Sequence, residues 1–166
     1  MRLTNYTDYT LRMLIYLALK TEGRATIAEI SARYGIAETH LMKVAHELGV
    51  AGDIETIRGK GGGLRLARRP EAIRVGEIVR RTEPDLAIVP CFAEPALCAI
   101  EPECILRRAM HKALQAFLAE LDGYSLADLV APRRKLSALL DIEPSYREPG
   151  SETGRAARTR PRRVVQ

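Results

Sequence analysis

The sequence has no tryptophan and only two phenylalanines among its 166 residues. A core must therefore rest mainly on Leu, Ile, Val and Ala, and an apolar fraction of 46% is enough for an ordinary globular domain. Long apolar runs are missing too. The run Met13 to Leu19 falls far short of the ~20 residues that cross a bilayer. No basic segment followed by an apolar stretch and a small-residue cleavage site opens the chain, so a cytoplasmic protein without membrane attachment is expected. Catalytic patterns are lacking as well: no nucleophile beside a plausible base, no phosphate-binding loop and no paired carboxylates, so no enzyme is expected. Cysteine is scarce and odd in number. Cys91, Cys98 and Cys104 lie within 14 residues and cannot all pair with one another. In a reducing compartment such clustered soft ligands point to a metal or iron–sulfur centre rather than to disulfides.

The net charge of +5 is unevenly spread. Residues 1–80 carry 13 basic and 9 acidic groups, residues 81–142 carry 7 and 9, and residues 143–166 carry 6 and 3. The basic surplus thus sits in the N-terminal part and the tail, which suits a polyanionic partner.

Helical periodicity marks residues 5–21, where Tyr6, Tyr9, Leu14, Leu17 and Ala18 recur on one face. Thr26-Ile-Ala-Glu29 is a capping box that opens a short helix to about Tyr34, stopped by Gly35. A third helix is expected over 38–48, ended by Gly49. Two short helices around a Gly-containing turn are the signature of a helix-turn-helix. Leu41, Val44, Ala45 and Leu48 form the apolar face of the third helix, while Glu38, Thr39, His40, Lys43 and His46 lie on the other side. Thr39, His40 and Lys43 are near its start, where a recognition helix touches base edges.

Two alternating runs follow, residues 53–58 and 64–67, around the Gly-rich stretch 59–63. They predict a β-hairpin, and a hairpin directly after a helix-turn-helix is a wing. Arg58, Lys60 and Arg65 supply cations for phosphate binding. Gly61 and Gly62 let the backbone approach a phosphate or a narrow groove. A fourth helix is expected over 75–83.

Residues 84–103 hold four prolines, Pro84, Pro90, Pro95 and Pro102, and little periodicity, so an irregular loop is expected. A long amphipathic helix returns from Cys104 to about Leu121, with Ile105, Ala109, Leu114, Phe117, Leu118 and Leu121 as its stripe. A second capping box, Ser125-Leu-Ala-Asp128, opens a short helix. Pro132 interrupts it, and 136–140 finishes the fold. The tail 143–166 is Arg-rich, patternless and expected to be disordered. The expected fold is mainly α, a winged helix-turn-helix followed by a long C-terminal helix.

The spacing C-x6-C-x5-C ends at a helix start, where the dipole stabilises a Cys104 thiolate. Spacing alone leaves a cluster, zinc and inert thiols open, and three cysteines leave one coordination site to another ligand. Glu94, Glu101 and Glu103 are nearby acids. His111, two turns beyond Cys104, reads as a solvated or interface residue.

The opening Met1-Arg-Leu-Thr-Asn-Tyr-Thr-Asp8-Tyr, the wing Arg58-Gly-Lys-Gly-Gly-Gly-Leu-Arg-Leu66, the three-cysteine loop and Leu121-Asp-Gly-Tyr-Ser-Leu-Ala-Asp-Leu129 together resemble the iron–sulfur winged-helix repressors, most of all their nitric-oxide-sensing branch. The resemblance spans about residues 1–140. It implies a homodimer crossing through the long helix, with a [4Fe-4S] cluster per subunit ([2Fe-2S] as alternative) held by Cys91, Cys98 and Cys104. The fourth ligand implied is Asp8 of the partner subunit. Arg12, one helical turn on, is spaced either to orient Asp8 or to stand as a surface arginine. It also implies a palindromic DNA operator, released when nitric oxide attacks the cluster. The domains expected are a DNA-binding domain 1–83, a cluster loop 84–104, a dimerisation helix with C-terminal helices 105–142, and the tail.

Three departures stand out. The cluster-biogenesis regulators of this kind carry a histidine where Arg107 stands here. Their first cysteine spacer is shorter. Ala37 replaces the usual serine before the recognition helix, removing an N-cap. A regulator of iron or cluster status shares nearly every motif, and an electron-carrying iron–sulfur protein would have no use for the wing.

Overall fold

The computed structural model describes residues 2–20, 23–93, 98–100 and 103–142. It is mainly helical, with one two-stranded antiparallel sheet. Helix α1 (Asn5–Leu19) begins at Thr4, whose hydroxyl accepts the Thr7 N–H, and stops one residue before Lys20, its C-cap. In α2 (Ile27–Tyr34) both arms of the Thr26–Glu29 capping box form, and Gly35 closes the helix in the left-handed region at φ 64°. Helix α3 (Glu38–Val50) runs through Gly49, contrary to expectation. The chain reverses instead at Gly52, φ 76°, where the Asp53 N–H bonds the Leu48 carbonyl. An interior glycine costs only ~1 kcal/mol relative to alanine, and keeping Leu48 and the turn after it in place outweighs that.

Strands β1 (Ile54–Ile57) and β2 (Gly63–Leu66) pair with Ile54 opposite Leu66 and Glu55 opposite Arg65. Helix α4 (Val75–Thr82) follows a short 3-10 turn at Pro70–Ala72. The stretch expected to be wholly irregular contains a one-turn helix, α5 (Pro90–Ala93), which carries Cys91. Phe92 on that turn packs towards α4 and α6 (Ile105–Asp122), a tertiary anchor that periodicity does not reveal. Helix α7 (Leu126–Leu129) opens with both arms of its Ser125–Asp128 capping box. Pro132 is the N-cap of α8 (Arg133–Leu139), which therefore starts three residues before Leu136. The tail 143–166 lies outside the described residues.

The main core joins Met13, Leu14, Tyr16 and Leu17 of α1 to Ile30, Leu41, Val44 and Leu48 of the helix-turn-helix, and to Ile54 and Leu64 of the hairpin. A second cluster packs Leu114 and Leu118 of α6 on Val75 and Val79 of α4. The stripe expected on α6 splits in two. Leu114 and Leu118 are buried, with Phe117 and Leu121 partly covered against them, whereas Ile105 is 72% exposed and Leu106 68%. Ala109, Ala113 and Ala116 extend that exposed face. The face lies on the opposite side of the helix from Leu114, so one chain cannot cover both.

Polar ties fix the helices. Asp53 is fully buried, and its carboxylate takes Arg68 at 2.9 Å and, through its other oxygen, Arg81. Arg68 also bonds Glu77 of α4 at 2.9 Å, and Arg80 meets Asp122 of α6 through two parallel bonds of 2.6 Å. Tyr16 donates to Glu29 at 2.8 Å, and Lys20 pairs with the same oxygen. Burial pushes the Glu29 carboxyl up, but hydrogen bonds from Lys20 and Tyr16 prevail and hold it below the usual range. Burial and the bond to Glu29 push the Tyr16 phenol up to about 12. Arg133 caps the end of α1 by donating to the carbonyls of Ala18 and Leu19.

Two measurements check these ties. Asp53→Ala leaves Arg68 and Arg81, each about one-third exposed, without their shared acceptor and should destabilise the fold by about 2–3 kcal/mol in urea titration. A loss below about 1 kcal/mol would mean that desolvating the carboxylate cancels its ion pairs. Because folding raises the Tyr16 pKa from its ordinary 10 to about 12, its contribution is complete below pH 10 and lost as pH climbs towards 12. Tyr16→Phe should show a shallower alkaline fall in urea midpoint than the parent protein. Identical falls would exclude Tyr16 as a source.

Candidate nucleic-acid interface and thiol segment

On α3 the four apolar positions Leu41, Val44, Ala45 and Leu48 are buried, and Glu38, Thr39, His40, Lys43 and His46 are exposed. Ala37 precedes the helix and makes no side-chain cap. Two of the expected reading residues are not loose on the surface. The Lys43 ammonium lies 5.8 Å from the Tyr6 ring centroid, and the His40 ring 5.8 Å from that of Tyr9. Both tyrosines belong to α1, so that helix poses the side chains of α3 through cation–π and ring contacts. Sequence reasoning placed Tyr6 and Tyr9 on a core-facing stripe; both are only partly buried, because their rings reach the rim of the helix-turn-helix.

The wing places Arg58, Lys60, Gly61 and Arg65 in solvent, with Gly62 half-buried. Arg65 is directly opposite Glu55 and bonds it at 2.5 Å, so part of its charge is answered within the hairpin. Among the described residues neither Arg58 nor Lys60 has an ion-pair partner, which leaves them as the wing's open cations. Gly62 is required by space: a Cβ there would stand 2.3 Å from the Ile57 carbonyl oxygen. Residues 24 and 25 brace the hairpin, a role no pattern in the sequence announced. Arg24 donates to the Gly61 carbonyl at 2.7 Å, and Ala25 exchanges two backbone bonds with Leu64.

The three thiols are free. Cys91 on α5 and Cys104 at the N-cap of α6 are half-buried, and Cys98 is exposed. The Cys104 sulfur accepts the Arg107 N–H at 3.3 Å. That sulfur therefore sits at the positive end of the dipole of an 18-residue helix. Unpaired thiols of this kind fit the donor set of an iron–sulfur centre. Among the described residues no three His, Cys, Asp or Glu side chains form a metal-holding group. Of the acids considered beside the loop, Glu94 and Glu101 lie outside the described residues and Glu103 is exposed. His111 is exposed, its ring edge-on to Phe92 at 6.0 Å. Asp8 sits on α1, 46% exposed, and its carboxylate is bonded by Arg12 at 2.9 Å. Arg12 in turn lies 5.7 Å from the Tyr34 ring.

The thiol segment leaves the winged helix-turn-helix at a tie that the sequence did not disclose. Glu83, at the end of α4, receives the Thr4 N–H at 2.9 Å and the Thr4 hydroxyl at 3.1 Å, and the Thr7 hydroxyl donates to the same oxygen. Thr7 also bonds Thr82 at 2.8 Å. The first turn of the Asp8 helix is therefore bonded to the residue from which the chain departs towards Cys91.

The family model described as Rrf2, iron-dependent transcriptional regulator, matches residues 3–132. An HTH-type transcriptional regulator NsrR of Geobacillus kaustophilus is 51% identical over 142 residues, covering 84% of this chain and 97% of its own. The NsrR of Bacillus subtilis is 50% identical over 145 residues, covering 86% and 99%. Among solved structures, CymR, the global cysteine regulator of B. subtilis, superposes with a TM-score of 0.67 at 28% identity over 80% of this chain and 98% of that one. IscR of T. potens gives 0.66 at 25% identity over 82% and 90%. With a recognition helix, a wing and free thiols arranged as above, the chain belongs to the Rrf2 family of transcriptional regulators.

Proposed function

We propose that this regulator is a nitric-oxide-responsive repressor of the NsrR kind, acting in the cytoplasm as a homodimer on a palindromic duplex operator. Residues 1–83 read DNA through Thr39, His40 and Lys43 of α3 and through Arg58, Lys60, Gly61, Gly62 and Arg65 of the wing. Residues 105–142 carry the dimer contact: the uncovered stripe of Ile105, Leu106, Ala109, Ala113 and Ala116 supplies an apolar face that a second α6 would bury. Residues 84–104 form the sensing loop. Cys91, Cys98 and Cys104 would hold a [4Fe-4S] cluster, with the partner subunit's Asp8 as the fourth ligand. When bound, the group supplies iron open to a small diatomic ligand.

The observation that carries this reading is the Glu83 tie. It joins the start of α1, and so the Asp8 position, to the base of the thiol loop, while the same helix holds His40 and Lys43 through Tyr9 and Tyr6. A displacement of α1 thus reaches the side chains that face DNA. Two half-sites lie about one helical turn of DNA (~34 Å) or a multiple apart, so a small rotation of one reading head breaks register with the other. A second reading, regulation by iron supply, is supported by the description of the family as iron-dependent.

Anaerobic purification followed by nitric oxide titration against operator binding tests both. The first reading expects a coloured, iron-containing dimer that releases DNA as nitric oxide is added. A coloured protein indifferent to nitric oxide would favour iron sensing, and a colourless, iron-free dimer still competent at its operator would exclude both. Asp8→Ala should weaken the chromophore and lower operator affinity; leaving both unchanged would remove Asp8 from the ligand set. Lys60→Ala should reduce the slope of log affinity against log salt by about 0.9, the loss of one phosphate contact. An unchanged slope would take the wing cation off the DNA.

A further inference from the structure

The wing tip is a turn that its own contacts hold poorly. Gly59, Gly61 and Gly63 have φ values of 94°, 77° and 151°, and residues 58–61 are exposed. Within the turn the Gly62 N–H bonds the Gly59 carbonyl at 2.9 Å. Glycines at such angles have the widest conformational freedom of any residue, so ordering this turn on DNA carries a large entropic cost unless something orders it beforehand.

The connection between α1 and α2 does so at two levels. At the base, Ala25 gives its N–H to the Leu64 carbonyl at 3.0 Å and accepts the Leu64 N–H at 2.8 Å, which makes it a one-residue third strand beside β2. At the tip, the half-buried Arg24 donates from its guanidinium to the Gly61 carbonyl at 2.7 Å. Close approach is built in: a Cβ on Gly63 would stand 2.9 Å from both the Arg24 Cβ and the Ala25 carbonyl oxygen. A bulkier residue at 63 would push the brace and the wing apart.

We infer that Arg24 is a positioning residue for DNA binding: by bonding the Gly61 carbonyl it holds the wing tip in the pose in which Arg58 and Lys60 meet the duplex. The inference rests on the reading of the wing as a DNA contact and is independent of cluster, signal and oligomeric state. Arg24 acts through the turn. Its removal leaves the wing cations able to reach phosphates, but only after ordering a freer loop.

The two roles open to an arginine at this place differ in their salt dependence. A residue that itself contacts a phosphate contributes about 0.9 to the salt slope, whereas one that only orders a loop contributes to affinity without contributing to the slope. The test uses the full-length protein and an operator duplex, comparing the parent with Arg24→Ala and Lys60→Ala over a range of salt, with amide hydrogen exchange read on free protein. Arg24→Ala should lower operator affinity about fivefold, the scale of one lost hydrogen bond. It should keep the parent's salt slope and speed exchange of the Gly62 amide, which bonds the Gly59 carbonyl within the turn.

A fall of about 0.9 in slope with unchanged exchange would overturn the inference and make Arg24 a direct phosphate ligand. Unchanged affinity would overturn it outright, provided Lys60→Ala lowers the slope in the same experiment. If Lys60→Ala and Arg24→Ala are both silent, the wing reading itself has failed and the inference with it.

Discussion

The carboxylate of Asp53 is the joint around which the winged helix-turn-helix is assembled. It is fully buried, a costly place for a charge unless that charge is paired and hydrogen-bonded. Arg68, just beyond β2, and Arg81, on α4, meet its two oxygens. Its backbone is used as well: the N–H bonds Leu48 at the end of α3, and the carbonyl accepts the Ala67 N–H past the hairpin. Recognition helix, wing and α4 therefore share a single residue. Because bond directions at a buried carboxylate are narrow, their mutual angles are fixed more tightly than apolar packing alone would fix them. In the proposed DNA complex, two elements that enter the duplex together need that rigidity.

Helix α1 is the second organiser, and it works at both ends. Glu83 secures its first turn, and Arg133 donates hydrogen bonds to its last carbonyls. Along its length Tyr16 meets Glu29 of α2, while Tyr6 and Tyr9 meet Lys43 and His40 of α3. A helix so attached moves as a body. In the proposed dimer this gives a ligand change at Asp8 a mechanical route to the reading face, through side chains already in contact rather than through a long relay.

Helix α6 divides its apolar surface by destination. Leu114 and Leu118 close the chain's own second cluster on α4, and the bidentate Arg80–Asp122 pair locks that contact. Ile105, Leu106 and the alanines one and two turns on are left in solvent. Cys104 begins the same helix, so a partner docking on the exposed stripe would dock beside the thiol segment.

What could be read from residue order was local. The capping boxes at Thr26 and Ser125, Gly35 as a helix stop, the apolar face of α3 and the hairpin about its glycines all depend on neighbours within a few positions, and all are present. So is the position of Cys104 at a helix start. Local signals failed where a distant contact outweighed them. Gly49 stays helical because the reversal at Gly52 keeps Leu48 and Asp53 in place; α5 forms where Phe92 finds a cluster; the α6 stripe splits because one helix serves two surfaces. The partners of Asp53, the Glu83 tie and the Arg24 brace join residues from 15 to 79 positions apart. Nothing in a periodic pattern encodes which buried acid meets which arginine; that was decided only when the packed helices brought the charges together and excluded water from between them.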